Sequence, residues 1–527
     1  MAGGGWAPLR HPDFRRLWAA QFTSNIGSWM QTVAAQWVMT SLTGSPLLLT
    51  AVSAAGSLPV LLLAVPAGAL GDLMDRRKLI LTAQATMLVA AAGLALLSAV
   101  GSLTAWVLLG LLFVIGVGGA IAAPTWQTLQ PELVPEADRS QAIALGSVNQ
   151  NLARAIGPAI GGLLLAATSA ALVFLVNAAS FVAVLGGVAA TPIAKRESAL
   201  PREHAIAAVR AGGRFVRNSP GLLAVIVRAT AFVFFAGSIW ALLPLVARDR
   251  LGLGSGGYGM LLACVGIGAL LAANFGPKLK EVLTPRPIYA LACLLVAAAA
   301  ATLAISHSVA VVAVALVAAG AAWIIALGLL NNGYQGELPQ WVKARSFAYY
   351  LVAFQGANAI GALAMGTVAQ ATSVTTALYV VAGGLLVGSV ATWMLPLATG
   401  GDHVGLTADP LPLPQMPQNP EQGPVTVVVD YSLAPGKSEA FLALADELRR
   451  MRRRGGAVSW HLNHDIDDPD LFKEEFIVGS WEQHELQHAH IVHRERELLD
   501  SIDALLRDGQ PRAAQHLIGV RPPHHHR

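Results

Sequence analysis

Residues 132–162 read ELVPEADRSQAIALGSVNQNLARAIGPAIGG, and residues 337–366 read ELPQWVKARSFAYYLVAFQGANAIGALAMG. Both open on Glu-Leu, at 132 and 337, and both close on an Ala-Ile-Gly helix segment, at 155–157 and 359–361. A second echo pairs Gly-Ser-Trp at 27–29 with Gly-Ser-Ile-Trp at 237–240. The spacing far exceeds the roughly 20–50 residues of solenoid and propeller repeats. The chain is therefore built as two large related halves rather than as an array of small units.

What fills the halves is apolar. Only 13% of the residues are charged and 54% are hydrophobic, whereas a soluble domain carries about 25% charged residues. The charges gather before residue 20, between 193 and 220, and after 400. From Phe14 to Pro396 the sequence is a series of apolar runs of about 20 residues, the length that crosses roughly 30 Å of hydrocarbon. Helices are expected near 15–41, 46–71, 79–100, 105–123, 140–166, 171–191, 221–246, 257–276, 288–305, 309–330, 347–370 and 374–396. The expected fold is an all-α membrane protein with twelve transmembrane helices in two six-helix pseudo-repeats, 1–193 and 220–398, joined by a central loop at 194–219. Repeat-built secondary transporters share this plan. The basic start runs straight into the first span, so no cleavable signal peptide is expected. Cys264 and Cys293 lie inside apolar runs, and no disulfide framework is expected.

The connections sort by charge. One set carries Arg10, Arg15 and Arg16; Arg76, Arg77 and Lys78; Arg139; Lys195, Arg196, Arg202, Arg210, Arg214 and Arg217; Lys278, Lys280 and Arg286; and Lys343 and Arg345. The alternate set, SLTGSP, SAVGSLT, ATSAA, SHS and QATSVTT, is short and uncharged; only Arg248 and Arg250 fall on that side, with Asp249 between them. Excess Lys and Arg marks the cytoplasmic face. Both termini are expected in the cytoplasm, with the protein in the inner or plasma membrane.

GALGDLMDRRK at 68–78 resembles the loop between helices two and three of the major facilitator superfamily, G-x-L-a-D-r-x-G-R-R. Leu73 stands where that pattern has Arg, and Asp75 where it has Gly. The second departure, with FRRLWAAQFTSNIGSWM at 14–30, PELVPEADRSQA at 131–142 and RAIGPAIGG at 154–162, resembles the enterobactin-exporter-like or transmembrane secretion effector branch. The likeness runs through nearly all of 10–400 and into the C-terminal extension. It implies export of small organic molecules such as siderophores, drugs or secondary metabolites by alternating access, with proton antiport a family expectation. It also implies that Gly68 and Leu70 pack a helix end and that Asp72 holds the acidic position of a cytoplasmic gate. Arg76, Arg77, Glu132 and Arg139, with Glu337 and Arg345 in the second half, complete that gate. The segment with Gly157, Pro158, Gly161 and Gly162 is similar to the helix-five motif of superfamily exporters. Small residues there allow close helix contact, and Pro158 removes a backbone donor and favours a bend. Neutralising Asp72 is expected to abolish transport without disturbing membrane insertion.

Within the spans, Gln21, Asn25, Ser28, Thr32 and Gln36 fall in a sector of about 80° on the first helix. The stripe either faces a water-filled substrate cavity or bonds neighbouring helices, since side-chain amides in hydrocarbon need partners. Ser147, Asn151 and Arg154 form a second stripe, and Gln355 and Asn358 are candidate cavity residues in the second half. Arg154 lies roughly 21 Å past the start of its helix, too deep to reach interfacial water. No Asp or Glu lies deep in any span, so Arg154 is either a hydrogen-bonding hub or an attractor for an anionic substrate. Proton coupling has no located carboxylate. Arg228, roughly 12 Å inside its helix, is expected to snorkel.

After a Pro-rich linker at 399–423 the composition becomes that of a soluble domain. The order strand, helix, strand, strand, helix over 424–510 resembles part of the ferredoxin-like α+β fold of antibiotic-biosynthesis monooxygenases, with 511–527 expected as a disordered tail. His484, His488, His490 and His493 lack acidic or cysteine partners at ligand spacing. A solvated or dimer-facing His-rich helix is expected, with no metal and no cofactor. The partners expected are the lipid bilayer and a small substrate, anionic if Arg154 attracts it, with self-association through the C-terminal domain an open role and no nucleic acid. A membrane-anchored enzyme or a sensor with a C-terminal output domain is the alternative to a non-enzymatic exporter, and deleting 424–527 separates them.

Overall fold

The fold was read from a computed structural model that describes residues 6–73, 75–192, 202–339, 341–394, 423–508 and 510–519, without the side chains of 64–73, 202–209, 277, 280 and 344. The first six long helices are α1 (Pro12–Leu42), α2 (Pro46–Leu73), α3 (Arg76–Ala99), α4 (Ala105–Glu132), α5 (Arg139–Ala167) and α6 (Ala170–Ala190). A helix α7 (Arg202–Arg217) occupies what the sequence presents as the central loop. Then follow α8 (Pro220–Leu245), α9 (Ser255–Val282), α10 (Pro285–Ile305), α11 (Val309–Gly336), α12 (Lys343–Ala371) and α13 (Val374–Ala391). Among the described residues ten helices are long and apolar enough to cross a membrane. The two long helices outside that group are α1, of 31 residues, and α5, of 29. They are the helices that carry the polar stripes.

Compact packing divides the chain into two units, one of Met1–Pro201, Ile226–Leu330 and Tyr350–Leu397, the other of Arg202–Val225, Asn331–Tyr349 and Ala398–Arg527. In the first unit α1 packs on α5 and α6, α2 on α4, and α3 on α4 and α6. The second half repeats these pairings. Gly361 of α12 meets Phe234 of α8, Gly268 of α9 meets Val317 of α11, and α10 packs on α13. Even the caps repeat: Ser169 accepts from the Leu172 amide to start α6, and Ser373 from the Thr376 amide to start α13. Each hydroxyl satisfies an amide that the first helical turn leaves open.

Helix α4 runs past the boundary expected near 123, with Pro124 and Pro131 inside it. Proline ends helices in water, but neighbouring helices in a membrane bundle compensate the lost donor. Asp75, the departure from the glycine of the superfamily loop, caps α3 by accepting from the amides of Arg77 and Lys78 at 2.9 and 3.2 Å.

The C-terminal part of the second unit contains β1 (Val425–Ser432), α14 (Ser438–Arg454), β2 (Ser459–His464), β3 (Leu471–Val478), α15 (Trp481–Ala489), α16 (His493–Asp503) and β4 (Ala513–Ile518). The strands form one antiparallel sheet in the order β2-β3-β1-β4. Alternate residues Val425, Val427, Val429 and Tyr431 of β1 are buried with Phe441 and Leu448 of α14 and Leu498, Leu499 and Ile502 of α16. Strand β4 corrects the expectation of a tail from 511: Val425 pairs with Ile518 and Asp430 with Ala513. AAQHLI is a short edge strand without clean apolar alternation, so period-two patterning does not reveal it.

Candidate functional site

The polar stripe of α1 divides into parts with different partners. At one end Gln21 donates to Asn25 at 3.0 Å, Asn25 donates to Asn149 of α5 at 2.8 Å, and Asn149 donates to the Trp18 carbonyl at 3.0 Å. At the other end Gln36 donates to Ser53 of α2 at 3.1 Å and accepts from the Tyr258 hydroxyl of α9 at 2.5 Å. Between these ends Ser28 and Thr32 are half-buried, and among the described residues Thr32 bonds only the Ser28 carbonyl of its own helix. A buried cluster that the stripe does not include, Gln31 with Asn177 and Ser180 of α6, holds an adjacent face of α1, about 100° round the helix. Interhelical bonds of this kind contribute about 0.6 kcal/mol each on average. They set orientation more than they hold the bundle together.

Glycines bring the helices into close contact. A Cβ at Gly157 would lie 2.6 Å from Trp29 Cβ, and one at Gly161 would lie 2.7 Å from Met30 Cα, so α5 presses directly on α1. Gly162 meets Gly259 of α9 backbone to backbone, and Gly366 of α12 meets Leu47 and Thr50 of α2. Pro158 lies within the uninterrupted span of α5.

Arg154 sits between these contacts. Its guanidinium lies 5.6 Å from the centroid of the Trp29 ring, within cation–π range. It forms no ion pair among the described residues, and its Nε is buried without an acceptor. Asn151 is exposed and bonds the Ser147 carbonyl of its own helix. Gln355 is half-buried, and Asn358 donates to Ser57 of α2 at 2.8 Å. Arg228, expected to snorkel, is 4% exposed and donates to the Thr392 carbonyl at the C-terminal end of α13.

Contacts between the two halves gather toward one end of the first unit. Arg248 donates to the Thr40 carbonyl, Ser45 donates to Gln370 at 2.8 Å, and Trp37 stacks on Tyr258 at 5.8 Å. At the other end the expected gate charges pair inside one half. Arg76 makes a bidentate pair with Glu132 at 2.9 and 3.0 Å, Arg77 donates to the Ala189 carbonyl, and Asp138 pairs with His11 at 3.1 Å. Arg139 is the first residue of α5. The side chains of Gly68, Leu70 and Asp72 lie outside the described residues.

In the second unit Glu337 and Arg345 do not pair with one another. Burial holds the Glu337 carboxyl above the usual carboxylate range, partly offset by Arg494 and Arg454. Arg345 acts instead on His490, which burial and that cation hold below the usual histidine value. In the His-rich segment His493 is exposed and His488 and His490 are half-buried, but His484 departs from the expected solvated face. His484 is 1% exposed, and its Nε2 lies 2.9 Å from His516 Nε2 on β4. Burial, with His488, His516 and Arg452 nearby, pushes it down to about 3. His490 stacks on Trp341 at 4.6 Å. Sequence reasoning also missed Glu474, fully buried on β3, where Arg452, Trp460 and Tyr431 all donate to it within 3.0 Å. Both carboxylate oxygens are satisfied, as a buried charge requires.

Comparison with known proteins places these features. Over 247 residues the chain is 28% identical to macrolide efflux protein A of Streptococcus pyogenes, a match covering 45% of this chain and 59% of that one. It is 31% identical over 284 residues to the enterobactin exporter EntS of Shigella boydii serotype 4, covering 52% of this chain and 65% of that one. The chain thus spans less than two thirds of the length of these curated relatives. Among solved structures it superposes on a bacterial homolog of the human lysosomal transporter Spinster, inward-facing and occupied, with a TM-score of 0.59 at 15% identity, over 73% of this chain and 97% of that one. A D-xylose–proton symporter gives a TM-score of 0.58 at 12% identity, over 74% and 99%. The family description "transmembrane secretion effector" matches residues 3–523. The chain belongs to the transmembrane secretion effector family of the major facilitator superfamily.

Proposed function

We propose that this protein is a secondary exporter of small organic molecules that works by alternating access, with twelve spans, both termini in the cytoplasm and a ferredoxin-like C-terminal domain. The observation that carries the reading is the one-sided contact between the halves. Thr40, Ser45 and Gln370 meet partners from the opposite half, while at the basic end Arg76 of α3 pairs with Glu132 of α4 within one half. We read inter-half contacts weighted toward the uncharged end, among the described residues, as favouring the inward-facing state of such a cycle. The basic loops put the other end in the cytoplasm. On this reading α1 and α5 also span the membrane, their polar residues turned to partners and to the central space. The strand order β2-β3-β1-β4 supports the ferredoxin-like assignment.

Ser28, Thr32, Gln355 and Arg154 are the polar groups we assign to the substrate path. Arg154 supplies a positive charge with no acidic neighbour, which favours a substrate carrying a carboxylate or an ionised catechol. The relatives named for macrolide and enterobactin export set the classes to try first. Cells with and without the protein are loaded with a macrolide and with a catecholate, and retention is measured over time. Faster loss of at least one compound supports export. Equal retention of both, with the protein in the membrane, removes these substrate classes. Untargeted profiling of the medium then decides whether any small organic molecule is exported. Collapsing the proton gradient during efflux tests coupling, for which no membrane carboxylate is at hand.

A further inference from the structure

We propose that the second unit contains a binding site for a small oxyanion, a carboxylate or phosphate, enclosed jointly by α7, the segment joining α11 to α12, and the C-terminal domain. The place is a cavity of about 130 Å³ lined by Arg214 and Phe215 of α7, Trp341 and Arg345, and Gln487 and His490 among others. Its size suits a single phosphate or a small organic acid; drug-sized pockets run to about 300–1,000 Å³.

The charges around it do not balance. Four arginines, Arg214, Arg345, Arg452 and Arg454, line the cavity with one carboxylate, Glu495. Arg452 is held by Glu474, and Arg454 by Glu495 at 3.0 Å. Arg214 and Arg345 have no ion pair among the described residues. Three lining residues also hold a buried donor without an acceptor among the described residues: Arg214 Nε, Trp341 Nε1 and Gln487 Nε2. Buried donors are normally paired. Two cations without an ion pair lining one cavity, with donors of three separate segments close behind its surface, describe what an oxyanion would accept from. Burial lowers the Arg214 value, as an uncompensated guanidinium requires. The wall is rigid where it needs to be. Trp341 is stacked flat on His490 at 4.6 Å and edge-on to Phe215 at 5.8 Å, and a Cβ at Gly212 would lie 2.9 Å from Arg345 Cβ.

A ligand here would tie the C-terminal domain to α7 and to the 337–342 segment, so its concentration would set how firmly that domain is held. This inference does not depend on what the membrane helices export. Two sources share the chemistry, a free metabolite or phosphate and the headgroup of an anionic lipid.

The test uses the full chain, purified and placed in nanodiscs of phosphatidylcholine, with citrate and inorganic phosphate titrated by calorimetry. We expect saturable binding of at least one probe, one per chain, weakened more than tenfold in Arg214→Gln and in Arg345→Gln, and weakening with added salt. Arg214→Lys should fall between wild type and Arg214→Gln. Trp341→Phe, which keeps the stacked ring but removes a donor, should bind several-fold more weakly and so reports even if an arginine variant misfolds. If nanodiscs of phosphatidylglycerol block the probes, the headgroup is the natural occupant; if they do not, a free solute is. No saturable binding of either probe in phosphatidylcholine, or binding that both Arg214→Gln and Trp341→Phe leave unchanged, overturns the proposal.

Discussion

Helices α5 and α12 hold equivalent places in the two halves and share the Ala-Ile-Gly segment, yet differ at most other positions, among them the one where α5 carries Arg154. Gly157 lets α5 press on Trp29 of α1, and its counterpart Gly361 lets α12 press on Phe234 of α8. One turn further, Gly162 meets α9 across the boundary between the halves, and Gly366 meets α2 across the same boundary. At the position three residues before the first glycine, α5 has Arg154 and α12 has Asn358. Asn358 donates to Ser57 at 2.8 Å, whereas Arg154 rests over Trp29 with a buried Nε that has no acceptor among the described residues. The repeat has kept the scaffold and released one copy of the site. A charge was placed where its twin keeps a neutral hydrogen bond.

The largest effects should come from the shared part. Gly162→Leu and Gly366→Leu each force a side chain into a facing backbone or side chain; overpacking alone costs about 1–3 kcal/mol, and backbone contact leaves little room for relaxation. Both should lower efflux by more than tenfold and separate the halves at the uncharged end, read as a lengthened spin-label distance between α5 and α9 or between α2 and α12. Unequal outcomes from the two would break the equivalence. Next comes the part that differs. Arg154→Gln should reduce export of an anionic substrate about tenfold, equivalent to about 1.4 kcal/mol, and leave a neutral one within twofold. Equal losses for both substrates would make Arg154 a packing and hydrogen-bonding residue like Asn358.

The scaffold was legible in the sequence and the released site only partly so. Apolar runs of membrane-spanning length located the helices, and the Ala-Ile-Gly segments at 155–157 and 359–361 located the halves, because both signals are local and repeated. The direction of a polar residue is not local. Gln36 belongs to the same stripe as Thr32, yet it is taken up by Ser53 and Tyr258, residues brought near only by packing. Gln31 and Asn177 bond each other across α1 and α6 with no signal at either position alone. In the C-terminal domain His484 lies in a segment rich in histidine and charge, HELQHAHIVHRER, and is buried because β4, too weakly patterned to recognise, supplies His516 opposite it.

The acidic pair Glu132 and Glu337 offers a second comparison between the repeats, and it is sensitive to pH. Burial raises the Glu337 carboxyl above 4.5, so the folded second unit binds this proton more tightly than the unfolded chain. Its stabilising contribution is therefore full below 4.5 and is lost as pH rises through the raised value. Glu337→Gln, neutral throughout, should make the second unit a few-fold more resistant to limited proteolysis than wild type at neutral pH, with the advantage fading as pH falls toward 4.5. His484 works in the opposite sense. Held down to about 3 from 6.5, it removes stability as pH falls across that interval in both proteins, so only the difference between wild type and Glu337→Gln isolates the carboxyl. If Glu337→Gln is instead the less resistant protein at neutral pH, attraction to Arg454 and Arg494 outweighs burial.

The smallest effect belongs to the twin. Glu132 is 43% exposed on its side chain and pairs with Arg76 of its own half, and exposed pairs contribute about 0–1 kcal/mol, less with added salt. Glu132→Gln should change stability by about 0.5 kcal/mol and efflux by less than twofold. That outcome is what a pair confined to one half requires, because rigid rocking of the halves neither makes nor breaks it. A loss of efflux as large as that of Gly162→Leu would mean that Glu132 exchanges Arg76 for a partner in the other half during the cycle. Reciprocal Arg76→Glu with Glu132→Arg would then fail to restore transport, although it rebuilds the pair within the half.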